Sequence, residues 1–464
     1  MIKSKFTKPY VKWGILIAAL LILLLVPLLR GSQVGSEAYL NQRLAEDLSL
    51  NDDLSFGGRF ASYAWGTPLV LSLAPSILVW ILPLLLGLLC IIFLRRIIKK
   101  FTQKKLITNL VLAIFVLSPS FIYTFTSANN LFIALFLAIL TFYTFSEDKL
   151  DWLSLILILI LPLFNLMMTI GLVICLGLYV AFINKKKEKL FWFTFGLGLL
   201  SSLAYYLFLF YNSGWPDHFT INVLSQEFWK IFVYDLGSTY GVGVFILILA
   251  SLGAMKYWDK KYSALFVSFS IVLLFICSLL KQEAVLLLNL FLIFLAGLGL
   301  EALLERKWSK ANFRDFAIII ILCGLVFSMV SQATGLVNGE PGEEIIVGLE
   351  FLEELDPGVV FSEPSRGVWI NSAGHPNVID ENNQFIEDYE ERLNDSQVLY
   401  YSRDLEVSME IFEKYGINYV WIDSGFKDEI WEYDSEGLLF ILEYTKDFKQ
   451  LYNRDGVEIW RIQR

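Results

Sequence analysis

Apolar runs long enough to cross a bilayer recur along residues 13 to 337, each closed by a short polar or basic cluster. Bounded by charges, they lie near 13–29, 69–94, 106–126, 130–145, 152–164, 166–183, 190–211, 239–255, 262–280, 284–303 and 316–336. Residues 152–183 carry no charge at all. As one helix they would measure about 48 Å, too long for a hydrocarbon core of roughly 30 Å. Pro162 and Asn165 stand near the middle, which predicts two short helices there. Eleven spans follow. Beyond residue 338 the pattern shortens. Helical periods at 343–355 and 404–415 alternate with the β-branched runs "GVVFS", "NYVWID" and "GVEIWRI", a mixture that predicts an α/β domain.

Composition supports this division. The chain is 56% hydrophobic and 16% aromatic, beyond the range of an ordinary soluble domain. Residues 338–464 hold 29 Asp+Glu against 10 Lys+Arg, whereas residues 1–337 hold 17 against 27. The expected organisation is therefore a polytopic α-helical membrane domain over 1–337 and an acidic soluble domain over 338–464. With eleven spans, the clusters "KSKFTK", "RRIIKKFTQKK", "NKKKEK", "KYWDKK" and "ERKWSKANFR" share one side, which holds 22 Lys+Arg against 5 opposite. The positive-inside rule then puts the N-terminus in the cytoplasm and the acidic domain outside the cell membrane. The first run ends in "PLLRG" and reads as a signal anchor rather than a cleaved peptide. All four cysteines lie in apolar spans, so neither disulfides nor a cysteine metal site is expected in the external domain. Its acidity argues against nucleic acid.

Chemistry on the outer side has three long segments to draw on: 30–68, 212–238 and the C-terminal domain. In "GSEAYLNQRLAEDL", Leu40, Leu44 and Leu48 recur every fourth residue. That spacing predicts a helix on the membrane interface, with Ser36 as N-cap and Glu37 ionised in its first turn. A Gly-Gly turn then carries Arg59 and Tyr63 back to the next span. Acids are common in first turns, and interfacial Lys and Arg often only snorkel.

The stretches "DDLSFGGRFASYAWGTPLVLSLA", "LSPSFIYTFTSANNLFIALFL", "VLSQEFWKIFVYDLGSTYGVGVFILILASLG" and "LLLNLFLIFLAGLGLEALLERKW", together with "KYGINYVWID" and "GVEIWRI", resemble C-type (GT-C) membrane glycosyltransferases. Within that superfamily the chain is similar to archaeal relatives of the oligosaccharyltransferase catalytic subunit. The resemblance implies transfer of a sugar or oligosaccharide from a polyprenyl-phosphate-linked donor to a glycan or protein acceptor on the outer face. Glu37 takes the place of the acidic motif, with Asp235 and Glu227 as further acids. Tyr39, Arg59, Tyr63, Asn129 and Lys281 are the substrate-binding candidates, Arg59 and Lys281 for the lipid phosphate. A carboxylate there can serve as general base or ligate a divalent cation such as Mg or Mn.

The chain departs from the family pattern in places. The turn "TSANN", where relatives carry a second acidic motif, has no carboxylate. Glu37 replaces the commoner Asp, and no Trp-Trp-Asp-Tyr-Gly motif occurs in 338–464. Metal dependence and Asn-glycosylation are thereby in doubt, and a catalytically inactive partner of a glycosylation or envelope-assembly complex is the alternative. A transporter is the rival from another class, but the spans hold no charge apart from Glu301 at one end, where ion coupling needs intramembrane charge. His218 and His375 are too few and too far apart for a metal centre; His375 is expected to be a loop residue.

Overall fold

A computed structural model of the chain describes residue 8 and residues 10–49, 51–52, 54, 56–60, 65–213, 242–258, 261–308, 310–381, 388–433 and 436–463. By contact the chain divides into two units. Met1–Gln33, Tyr63–Leu207 and Thr220–Asn338 make one; Val34–Ser62, Phe208–Phe219 and Gly339–Arg464 make the other. The first external loop, expected with the membrane part, thus packs with the C-terminal residues.

The first unit is helical: α1 (Tyr10–Arg30), then, after the helix α2 (Ser36–Glu46) of the other unit, α3 (Pro75–Phe101), α4 (Lys105–Val116), α5 (Pro119–Thr126), α6 (Phe132–Phe145), α7 (Asp151–Ile160), α8 (Leu166–Phe182), α9 (Glu188–Ser213), α10 (Val244–Tyr257), α11 (Lys261–Leu280), α12 (Val285–Glu305) and α13 (Ala311–Val337). Six helices are long and apolar enough to cross a membrane, and the bent pair α4–α5 would make a seventh. The run 69–94 falls on a short helix at Gly66–Leu71 and on α3, and four further apolar helices, α6, α7 with its 3-10 turn, α8 and α10, are only 10–17 residues long. The break near Pro162 is present: α7 runs into a 3-10 turn at Leu161–Leu163, and Asn165 caps α8 by accepting from the Met168 amide at 2.8 Å. The run 106–126 is not one straight helix, as expected, but two bent by 60°. Pro119 cannot continue α4, and the Ser118 hydroxyl caps α5 by accepting from Phe121.

Ion pairs gather at one end of this bundle: Lys100 with Glu147, Lys104 and Lys256 with Glu301, and Lys187 with Asp148 and Asp151. At the opposite end, Arg30 donates to the Leu336 carbonyl at 2.9 Å and Asn165 to Glu283 at 2.8 Å. At the core, α10 and α12 touch through backbone. A Cβ at Gly253 would lie 1.8 Å from the Leu295 carbonyl oxygen, and one at Gly299 1.9 Å from that of Leu249.

In the second unit, β1 (Asn51–Asp52) and β2 (Arg59–Phe60) form a short antiparallel pair. The C-terminal residues add α14 (Glu343–Glu353), β3 (Val359–Phe361), α15 (Gly367–Ser372), α16 (Tyr389–Tyr401), α17 (Leu405–Lys414), β4 (Ile417–Ile422), α18 (Ser424–Ile430), α19 (Gly437–Tyr444), β5 (Phe448–Arg454) and β6 (Val457–Ile462). The sheet order is β3-β4-β6-β5; β3 and β4 are parallel and the rest antiparallel. Because side chains alternate along a strand, Tyr419 and Trp421 of β4 pack with α14 and α15, while Val420 and Ile422 pack with α16, α17 and α19; Ile417, at the start of the strand, joins the second group out of alternation. From Tyr419 to Ile422 β4 is buried on both faces, in keeping with the unbroken apolar sequence there.

Candidate functional site

Helix α2 begins where Gly35 adopts φ 77°, a conformation that favours glycine, and the Gly35 amide donates to the Glu340 carbonyl at 3.0 Å. Gly35, not Ser36, is therefore the N-cap, and no side chain caps the helix. Glu37 lies half-buried in the first turn, where the free amides favour a negative charge. The face expected to lie on lipid is partly used inside the unit. Ala38, Leu40, Asn41 and Ala45 are buried, Tyr39 packs against the α14–α15 layer, and Leu48 falls beyond the helix end, exposed. The interfacial-helix expectation misassigned this stripe because a four-residue apolar period is the same whether lipid or protein covers it.

The start of α2 is acidic. Glu381 accepts a hydrogen bond from Ser36, the residue next to Glu37. Desolvation, then the charges of Asp380, Glu363 and Glu340, push the Glu381 carboxyl above its ordinary value despite that bond. A carboxyl so raised keeps its proton to a higher pH than an ordinary carboxylate, the property required of an acid–base group. Sequence reasoning missed Glu381 because "VIDENN" reads as a polar loop.

Arg59 holds a different position from the one expected. Its side chain is 3% exposed, with Nε on Asp52 at 3.2 Å and Nη1 and Nη2 on Asp380 at 2.9 and 2.7 Å. Arg43 closes the other side of Asp52 at 2.6 and 2.9 Å. Burial alone would raise the Asp52 carboxyl, but the two guanidiniums outweigh it and hold the group below its usual range. A guanidinium committed to two buried carboxylates is not open to a phosphate, so Arg59 is a structural cation. Asn129 is likewise committed. Its amide donates to the carbonyls of Tyr123 and Thr124 and to Ser127 Oγ, and its oxygen accepts from the Leu131 amide at 2.8 Å. It shapes the "TSANN" turn and is not available to substrate.

Lys281 stays exposed in the hairpin between α11 and α12, and its ammonium forms no ion pair among the described residues. His375 is buried, its ring nitrogens 3.1 and 2.8 Å from the carbonyl oxygens of Gly358 and Leu352, a structural bridge. Tyr63, His218, Glu227 and Asp235 lie outside the described residues. Among the described residues, no group of three or more His, Cys, Asp or Glu side chains is placed to hold a metal ion.

No family model matches the chain, and no curated protein does. Solved structures share its fold. An oligosaccharyltransferase from Archaeoglobus fulgidus, tethered with an acceptor peptide containing the NVT sequon, has a TM-score of 0.61 at 12% identity, covering 99% of this chain and 75% of that one. The oligosaccharyltransferase AglB of the same organism, in complex with an inhibitory peptide and a dolichol-phosphate, scores 0.62 at 10% identity over 98% of this chain and 75% of that one. ArnT from Cupriavidus metallidurans, bound to undecaprenyl phosphate, scores 0.54 at 11% identity over 98% of each chain.

Proposed function

Because this chain has the fold of the C-type (GT-C) membrane glycosyltransferases, we propose that it transfers a sugar or oligosaccharide from a polyprenyl-phosphate-linked donor to an acceptor on the outer face of the membrane. The observation that supports this reading is a fold shared along nearly the whole chain with proteins solved bound to dolichol-phosphate and to undecaprenyl phosphate. In this reading eleven spans carry the bundle, the N-terminus is cytoplasmic and the acidic unit is extracytoplasmic. Glu37 is the general base for the acceptor, Tyr39 and Tyr63 flank the acceptor, and Lys281 holds the donor phosphate. Asp235 and Glu227 are further acids on the outer side. Among the described residues no three-ligand set for Mg or Mn is present, and Glu227 and Asp235 lie outside them.

Glu37→Gln keeps the shape of the side chain and removes its charge and basicity. A general base supplies about a hundred- to ten-thousand-fold in rate. Losing a half-buried first-turn charge changes stability by about 0.3–1 kcal/mol, the usual worth of an acid at a helix start. Glycosyl transfer by purified protein, with a polyprenyl-phosphate sugar as donor, should fall by that factor in Glu37→Gln while the melting temperature holds. Glu46→Gln, at the far end of the same helix, should transfer at the wild-type rate. Equal rates for the two variants would overturn the role of Glu37. The absence of a carboxylate in "TSANN" favours a second reading, an inactive relative that acts as a partner in glycosylation or envelope assembly. That reading requires a wild-type protein that transfers nothing.

A further inference from the structure

The lysine-rich end of the helical unit contains a second feature that the transfer reading does not use. A cavity of about 90 Å³ lies among α3, α4, α6, α8, α11 and α12, lined by apolar side chains that include Leu94, Val111, Ala138 and Phe294, with Cys175. By a measure in which one water occupies about 10–15 Å³, it has room for roughly six to nine groups of methylene size. Phe101 forms part of its wall and also part of the wall of a wider cavity of about 470 Å³. The Phe101 ring stacks on Phe266, with centroids 5.5 Å apart and planes 3° from parallel. Beyond that ring the lining changes character to Lys100, Lys104, Lys256 and Glu301.

The charges that line this mouth are unequal. One buried carboxylate, Glu301, accepts from both Lys104 and Lys256 at 2.9 Å, and the lining as a whole carries three ammonium groups against that one acid. Glu147 and Glu305 stand outside the lining and pair with Lys100 and Lys256. An apolar slot with a cationic mouth complements an amphiphile with a single anionic head. A solvated anion would not need the slot, and a neutral lipid would not need the lysines. Basic pockets between membrane helices bind phosphorylated lipid heads on this principle.

We propose that this end of the bundle binds a lipid phosphate. The phosphate monoester sits among Lys100, Lys104 and Lys256, and the first part of the chain passes Phe101 into the apolar cavity. The site is separate from the opposite end of the bundle, where Arg30 and Lys281 lie, and does not depend on the role of Glu37.

A photoreactive isoprenoid monophosphate carrying a diazirine near its head tests the proposal on the full chain in phosphatidylcholine nanodiscs. After irradiation, crosslinks mapped by mass spectrometry should fall in peptides covering 94–111, 138–142, 256–266 and 287–301. Unlabelled isoprenoid monophosphate should compete fully, whereas the matching isoprenol and inorganic phosphate should each compete at least tenfold less well. Lys104→Ala, at a side chain 59% exposed, should leave the fold intact and weaken labelling severalfold. Ala138→Phe, which fills the slot, should do the same through shape alone. Crosslinks confined to the Lys281 end, or labelling indifferent to both substitutions, would overturn the site. Equal competition by inorganic phosphate would exclude the slot, and equal competition by the isoprenol would exclude the lysines.

Discussion

Asp380 is fully buried and meets Arg59 with both carboxylate oxygens, so its charge has no alternative partner in solvent. Removing the Asp380 charge takes from the buried Arg59 its bidentate carboxylate and leaves Asp52 shared between two guanidiniums. Asp380→Asn should destabilise the second unit by about 3–5 kcal/mol, while replacing both partners with apolar residues of similar size should do far less harm. Paired melting curves of the single and double variants in detergent check this. The same network fixes a pH dependence. Folded Asp52 binds its proton less firmly than the unfolded residue, whose ordinary value is 3.8. Its contribution is complete above that pH and is lost as pH falls below it through the folded value. Glu381 acts in the opposite sense. Its folded pKa is raised, so stability is lost as pH rises from 4.5 through the higher folded value, and Glu381→Gln should melt above wild type at neutral pH but level with it well below pH 4.5. If Glu381 also handles a proton in the reaction, that stabilised variant should be slower. Arg59 was recognisable in the sequence as a notable cation, yet its role was not. Its partner stands 321 residues away, and no local pattern reports a pairing at that range.

Among the elements, α10 and α12 make the most demanding contact. Neither Leu249 nor Leu295 can yield to an added methyl at Gly299 or Gly253, because the atom in the way is a backbone oxygen. Membrane helices approach this closely only where residues are small. Gly299→Ala should therefore push the pair apart, at about 1–3 kcal/mol or more by the usual penalty for overpacking, and lower the yield of folded protein. Gly196→Ala, where nothing lies within 4 Å, serves as the control and should be neutral or slightly stabilising. The apolar runs reveal the helices because length and hydropathy are local properties. The Ser118–Pro119 bend was legible in principle from the proline alone. β5 was passed over because "FKQLYNR" alternates weakly, with only Phe448 and Tyr452 buried, although Asp455-Gly456 marks the hairpin turn that follows it.

For the whole molecule, the loop charges predict which face of the membrane each end occupies. Protease added to sealed, right-side-out vesicles should digest residues 338–464. Protection there, with cleavage only after the membrane is opened, would refute both the orientation and the outer-face chemistry. The division near residue 338 was visible as a change of charge and hydropathy, but the membership of Val34–Ser62 was not, since those residues pair with a part of the chain that composition alone cannot indicate. That membership has a consequence in time. Phe56 takes its amide partner from Asn377 and gives its carbonyl to Arg392, and Arg59 waits for Asp380. At roughly 5–20 residues per second of synthesis, the early segment spends roughly 15–65 s without those partners while the intervening helices are made. Until then the Asp52, Arg43 and Arg59 network lacks Asp380. A nascent chain stalled before residue 377 should display 34–62 to external protease, and release of the stall should bury it, so this short stretch records whether the last third of the protein has arrived.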